Sequence, residues 1–234
     1  MLSEDARQRL AAFVDQATKI FMAGGYRRTK MSDVTRAMGL SEGAIYRYFE
    51  GKEALFDLVM RAASAPSESL DVESLPVPNP RPGATLDFMR QCVRDRARFE
   101  SLDAATEVPV DRAAAREELT AITREIYQVT FRFRVGLRLM QRCAMDWPEV
   151  AELWFGTARR GLLEALAGHF RTRIDQGLLR PVPSPEAAAM LLLEEASFFV
   201  MHRHVDPWQF ELDDATVEAA MVDNIVNAYA FPSD

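Results

Sequence analysis

Apolar residues recur at helical spacing along most of the chain, and the glycines, prolines and short polar side chains between them mark where one helix stops and another starts. Leu10, Val14, Ala17 and Phe21 form one stripe over residues 6–22, ended by Gly24-Gly25. In the next short stretch Val34, Ala37 and Met38 share a face, with Asp33 and Arg36 outside it and Ser32 placed to cap the first turn. Gly39 ends that stretch, because a left-handed backbone is cheapest for glycine. Leu40 fills the corner and Ser41 caps a second short helix. There Ala44, Ile45 and Phe49 point back towards the first, leaving Glu42, Gly43, Tyr46, Arg47 and Tyr48 nearer the outside. Two helices totalling about 20 residues cannot bury a core alone, so the stripe over residues 6–22 must support them. A glycine turn between two short helices is the pattern of a unit that presents its second helix to the major groove of DNA.

Residues 53–63 continue as a connecting helix, with Leu55, Phe56, Val59 and Met60 on the inner face. Residues 64–84 change character: Pro66, Pro76, Pro78, Pro80 and Pro82 exclude a long helix. So long a connection is functional or disordered in most compact domains, and the expectation is a mobile loop, with a lid over a ligand entrance as the alternative. Helical spacing returns over residues 85–101 and 113–143, with a break around Pro109. Asp146-Trp147-Pro148-Glu149 reads as a helix start with an acidic cap, for a helix running to Gly177. Ser184-Pro185 opens another. Over residues 187–201 twelve of fifteen side chains are apolar, which requires cover on two sides. A last helix spans residues 213–230. No strand alternation interrupts the series, so the fold class is all-α.

The net charge of -7 argues against a chain that coats nucleic acid, but it is unevenly distributed. Residues 1–62 hold ten Lys/Arg against eight Asp/Glu, and the remainder 18 against 27. An acidic body with a slightly basic head favours a defined docking geometry. Cys92 and Cys143 are too few for a disulfide framework and read as buried thiols in a reducing compartment. No secretory signal and no apolar run of about 20 residues is present, so the expected location is the cytoplasm, without a membrane partner.

The run Phe21…Gly24-Gly25-Tyr26…Thr29…Met31…Asp33-Val34…Ala37-Met38-Gly39-Leu40-Ser41…Gly43-Ala44-Ile45-Tyr46…Tyr48-Phe49…Lys52-Glu53-Ala54-Leu55 resembles the DNA-binding domain of the TetR/AcrR family of bacterial transcriptional regulators. Two positions depart from that family's pattern. Thr35 replaces the usual alanine, and Gly51 stands where a serine or asparagine usually caps the next helix. The resemblance implies a helix-turn-helix domain over residues 1–52, a connecting helix over 53–63, and a helical effector-binding and dimerisation domain over 85–234. It also implies that Thr29, Tyr48 and Lys52 hold phosphates, and that Gly43, Ala44, Tyr46 and Arg47 lie at or near the bases. Arg47 is the specificity candidate, since a guanidinium can bond both acceptors of a guanine edge. The alternatives are that Tyr46 and Tyr48 are partly core, and that Arg47 touches only phosphate. In the family the last two helices pair two subunits, which implies a homodimer through residues 184–203 and 213–230 on a palindromic double-stranded operator.

Phe88, Met89, Phe131, Met140, Trp154, Phe155 and Phe198 are candidates for a pocket that takes an apolar or aromatic effector, although each would serve equally well as core. Glu194 and Glu195 interrupt the apolar helix, so at least one needs a partner such as an arginine; a cationic ligand is the alternative. Arg134, Arg138 and Arg142 recur every fourth residue and read as a solvated ridge paired with acids. His169, His202 and His204 lack metal-ligand spacing, and no cofactor is implied. No nucleophile elbow, phosphate loop or paired carboxylates point to an enzyme. The reading is a ligand-responsive repressor that binds its operator as a dimer and is released by a small molecule. The competing reading is an adaptor of the same fold that acts through a protein partner without operator binding.

Overall fold

The computed structural model describes residues 2–64, 72–96, 98–105, 111–203 and 210–232. The expected break at Pro109 and the histidine His204 lie outside these residues. In chain order the helices are α1 (Glu4–Arg28), α2 (Met31–Ala37), α3 (Lys52–Ser64), α4 (Ala84–Arg96), α5 (Glu100–Ala104), α6 (Arg112–Ala144), α7 (Pro148–Ala151), α8 (Arg160–Asp175), α9 (Pro185–Ser197) and α10 (Asp214–Tyr229). A 3₁₀ helix, Glu42–Arg47, lies between α2 and α3, and π-helical stretches Glu152–Arg159 and Phe198–His202 precede α8 and follow α9. Among the described residues there is no strand, only the isolated bridges Phe49–Val77 and Leu179–Ala230. The fold is all-α. No described helix is long and apolar enough to cross a membrane. The chain divides into two compact units, residues 1–95 with 135–155, and residues 96–134 with 156–234.

In the first unit the predicted stripe of α1 is the buried one: Leu10, Val14, Ala17 and Phe21, joined by Phe13. The helix breaks at Gly25, whose φ of 78° suits a residue without a Cβ. Capping of α2 differs from the sequence expectation. Ser32 lies inside the first turn, and the Asp33 carboxylate instead accepts from the Lys30 amide at 2.8 Å, where its charge also meets the positive end of the helix dipole. Gly39, with φ 65°, closes α2 while the Leu40 amide donates to the Thr35 carbonyl at 2.8 Å. Thr35 fits without exposure, its hydroxyl bonded to the Ser32 carbonyl at 3.2 Å.

The core of this unit gathers Phe49, Leu55, Phe56, Val59 and Met60 with Met89 of α4 and Leu139, Met140 and Cys143 of α6. Asp146 does not cap α7. Trp147 occupies that position and packs its ring against Tyr26 at 5.4 Å, while both Asp146 carboxylate oxygens are buried with no hydrogen-bond partner among the described residues. Among the described residues, Arg134 and Arg142 of the expected arginine ridge bond main-chain carbonyls and pair with no acid. Arg134, which belongs to the second unit, lies 4.1 Å over the Phe131 ring and donates to that residue's carbonyl at 2.7 Å. Arg142, in the first unit, donates to the carbonyls of Ala23 and Gly24.

The Pro-rich connection is also corrected. Residues 65–71 lie outside those described, but the following stretch is not a free loop. Val77 bonds the turn after the 3₁₀ helix on both sides, donating to the Tyr48 carbonyl at 2.8 Å and accepting from the Glu50 amide at 2.9 Å. Val77 stands between Pro76 and Pro78 outside any helix, so its own N–H and C=O are free for such docking.

The second unit packs α8 against α9. Ala188, Ala189, Leu192, Leu193 and Ala196 form the buried face of α9, and Ser184 caps it through the Ala187 amide at 3.2 Å. An ion pair lies inside this unit: Arg173 of α8 donates to Glu118 of α6 at 2.8 and 2.9 Å, and also to the carbonyl of Ala105. The partners sought for the two glutamates exist. Glu194 pairs with Arg159, and Glu195 accepts from the Asn224 amide at 3.1 Å. Burial raises the Glu195 carboxyl above its usual range, opposed by that amide.

Candidate nucleic-acid interface

Residues Glu42–Arg47 wind more tightly than the α-helix anticipated from sequence, with the Tyr48 amide donating to the Ile45 carbonyl at 2.9 Å. Six residues suffice for a 3₁₀ run, which tolerates short lengths. Ala44 and Ile45 turn inward and anchor the element, and Gly43 and Arg47 are exposed. Tyr46 is 53% exposed, too much for a core ring. Tyr48 is half-buried, its ring 5.0 Å from that of Phe13, so it bridges core and surface. Tyr46 and Arg47 therefore stand together on the outer side of the element that the sequence singled out.

Lys52 opens α3. Its ammonium donates to the Tyr26 carbonyl at 3.1 Å and sits 4.4 Å from the centre of the Tyr26 ring, which holds the cation beside the chain that links α1 to α2. The Tyr26 hydroxyl donates in turn to Glu53 at 3.1 Å; burial and that carboxylate both push its pKa up. Thr29 faces inward at 3% exposure, with its hydroxyl bonded to the Gly25 carbonyl at 2.8 Å. In this linking segment the exposed cations are Arg27, Arg28 and Lys30, which sequence reasoning passed over although their charge was in plain view.

Residues 13–59 match the family model for bacterial regulatory proteins of the TetR family. Over these residues the chain is similar to the DNA-binding head of that family. Solved structures of the same fold span nearly the whole chain. The ketosteroid transcriptional regulator KstR2 of Mycobacterium tuberculosis superposes with a TM-score of 0.57 at 13% identity, covering 96% of each chain. A regulatory protein of the tetR family from Rhodococcus RHA1 gives 0.54 at 17% identity, covering 99% of this chain and 100% of its own. AibR, solved with isovaleryl coenzyme A and operator DNA, gives 0.50 at 17% identity over 92% of this chain and 97% of its own. No curated protein matches the chain by sequence.

The residues suggested from sequence for an effector pocket fall in both units. Met89 and Met140 are buried in the first, with Phe88 and Trp154 packed partly buried against the same core. The Arg61 guanidinium covers the Phe88 ring at 4.5 Å. Trp154 buries its indole Nε1 with no hydrogen-bond partner among the described residues. Phe155, 45% exposed, lies one residue further along the same π-helical stretch. In the second unit Phe131 stacks on Tyr127 with centroids 6.2 Å apart, and Phe198 is 57% exposed. Glu194 is exposed and engaged with Arg159.

Proposed function

We propose that the chain is a ligand-responsive DNA-binding transcriptional regulator, a repressor that binds a palindromic operator as a homodimer and leaves it when a small-molecule effector binds. The observation that carries this reading is the outward pair Tyr46 and Arg47 on the second element of a helix-turn-helix. Tyr48 and Lys52 flank that pair as phosphate contacts. Arg47 reads a base edge, while Tyr48, Lys52 and the start of α2 near Thr29 set register on the backbone. Gly43, exposed and without a side chain, lets the element approach the groove closely.

Dimerisation is supported by the outer face of α9. Met190, Leu191 and Phe198 are 48%, 62% and 57% exposed at helical spacing on the side opposite the buried one. Exposed alanines on α10 (Ala219, Ala220 and Ala228) allow a second chain to come close. The effector domain is residues 85–234, and the effector is apolar or aromatic. The indole N–H of Trp154, unpartnered among the described residues, asks for an acceptor on it, and a π-helical turn such as the one that carries Trp154 recurs at functional sites. Effector and operator then weaken each other's binding by one common factor.

The experiment is selection of genomic DNA fragments by the purified full chain near physiological salt, followed by footprinting of what is retained. A protected palindrome bound by two chains supports the reading. Equal, weak retention of every fragment sinks it and favours the protein-partner adaptor.

A further inference from the structure

Gly51 precedes α3 at the position where a capping side chain serves a helix best, and glycine has none to offer. The cap comes from elsewhere. Asn79 Oδ1 accepts from the Ala54 amide at 3.2 Å. Ala54 is the third residue of α3, the donor that a serine or asparagine at position 51 would satisfy. A methyl group on Gly51 would lie 2.9 Å from that same Oδ1, so a side chain at 51 and the Asn79 cap compete for one space.

Asn79 is itself held in place. Its amide donates to the Glu50 carboxylate at 2.9 Å, and the two Val77 main-chain bonds to Tyr48 and Glu50 lie two residues before it. Between them Pro78 fixes one backbone angle, and Pro80 fixes another just beyond. These four hydrogen bonds fall on Tyr48, Glu50 and Ala54, and so enclose the turn that carries Tyr48 and Lys52.

We propose that residues 77–80 are a working part of the DNA-binding head, with Asn79 a positioning residue that caps α3 and so fixes Tyr48 and Lys52 for phosphate contact. This rests on the DNA-binding reading of the head. Because Asn79 contributes its cap through one side-chain oxygen, Asn79→Ala removes the cap and leaves every main-chain bond of the strap intact. Gly51→Ser supplies a hydroxyl to the same amide from within the helix's own sequence.

The test compares the full-length wild type, Asn79→Ala, Gly51→Ser and the double variant. Two quantities are read: hydrogen exchange at the Ala54 amide, and affinity for a DNA fragment that the wild type retains from a genomic pool. Asn79→Ala is expected to speed exchange and weaken DNA binding, each by about five-fold, in line with the usual worth of a cap. The double variant is expected to recover both, so that Asn79→Ala has no effect in the Gly51→Ser background. Unchanged exchange in Asn79→Ala overturns the cap. Faster exchange with unaltered affinity overturns its role in DNA binding. Affinity that stays low in the double variant after exchange recovers places Asn79 on the DNA itself and overturns the positioning role. If the wild type retains no fragment, the DNA-binding reading fails, and the exchange measurement still decides the cap.

Discussion

The guanidinium of Arg142 donates to the main-chain carbonyl of Gly24 at 3.0 Å, and through Nε to that of Ala23 at 3.2 Å. Carbonyls beside a helix break are short of regular donors, and the break at Gly25 follows directly. Arg142, near the end of α6, therefore closes the first run of α1, with its charge at the negative end of that helix dipole. Arg142→Ala should lower stability by about 1–2 kcal/mol, the range for hydrogen bonds from a charged group. Arg142→Lys should recover only part, because one ammonium lacks the fork that spans two carbonyls. Urea midpoints measure both, and a wild-type midpoint in Arg142→Ala would show that the carbonyls find other donors at no cost.

His169 lies inside the second unit, 7% exposed, with Glu118 at 3.7 Å and Arg173 nearby. Burial lowers its pKa below the ordinary 6.5; Glu118 opposes the shift and Arg173 adds to it. Below that pH the unfolded chain takes up a proton that the folded chain resists. Stability fully present above about pH 6.5 is therefore lost as pH falls through the lower folded value. Carboxylates add their own slope in acid, so the informative quantity is a difference. His169→Gln should show a shallower fall in urea midpoint than the wild type between about pH 7 and pH 5. Parallel slopes would mean that His169 takes up its proton equally in the folded and unfolded chains.

The sequence made the buried stripe of α1 legible, since Leu10, Val14, Ala17 and Phe21 obey one helical period. The turn at Gly39 was equally plain. What spacing could not show was which donors and acceptors meet across the fold. Asp146 looks like a cap by its place before Pro148, yet Trp147 takes that position because its ring has Tyr26 and Phe56 to pack against. Arg142 repeats with Arg134 and Arg138, and periodicity alone makes it one of a solvated row. Its partner is 118 residues away in sequence. The same holds for Asn79 and Ala54, 25 residues apart: the weak glycine at position 51 was visible, and the side chain that replaces its cap was not. Outward residues of the head, Tyr46 and Arg47, were found because a short element leaves few choices of face.

The two thiols should differ sharply in reactivity. Cys143 has no exposed surface, and burial pushes its pKa up to about 11, against a hydrogen bond with the Tyr26 main chain that lowers it. The thiolate is the reactive form, so little of it exists near neutrality. Cys92 is only half-buried. Iodoacetamide at about pH 8 should label native protein at Cys92 alone and reach Cys143 after denaturation. Rapid native labelling of Cys143 would mean that the core of the first unit opens far more readily than its packing implies.

Leu191 is 62% exposed on the outer face of α9, with Met190 beside it and Phe198 two turns on. In the proposed dimer that face is covered by the partner chain, where a charge would be buried without compensation. Leu191→Glu should shift the protein from dimer to monomer at micromolar concentration while its far-ultraviolet circular dichroism stays helical. Analytical ultracentrifugation reads the mass. A variant that remains fully dimeric would place the interface elsewhere on the chain.

Arg47 and Lys52 separate base reading from backbone holding. Arg47 is exposed on the 3₁₀ helix, and a guanidinium bonded to a guanine edge discriminates by about 1–3 kcal/mol. Arg47→Ala should therefore lose affinity for the selected operator while nearly matching wild type on operators changed at one base pair per half-site. Lys52 already commits one donor to the Tyr26 carbonyl and stands over the Tyr26 ring, so its ammonium is oriented before DNA arrives. Lys52→Ala should weaken every operator alike. It should also reduce the slope of log K against log salt by about one per half-site, since one fewer counterion is released. Titrations over a salt series with the operator and its single-position variants measure both effects together. Should Arg47→Ala also weaken every variant alike and flatten the salt dependence, Arg47 is a phosphate contact, and base reading falls to Tyr46 and the backbone around Gly43.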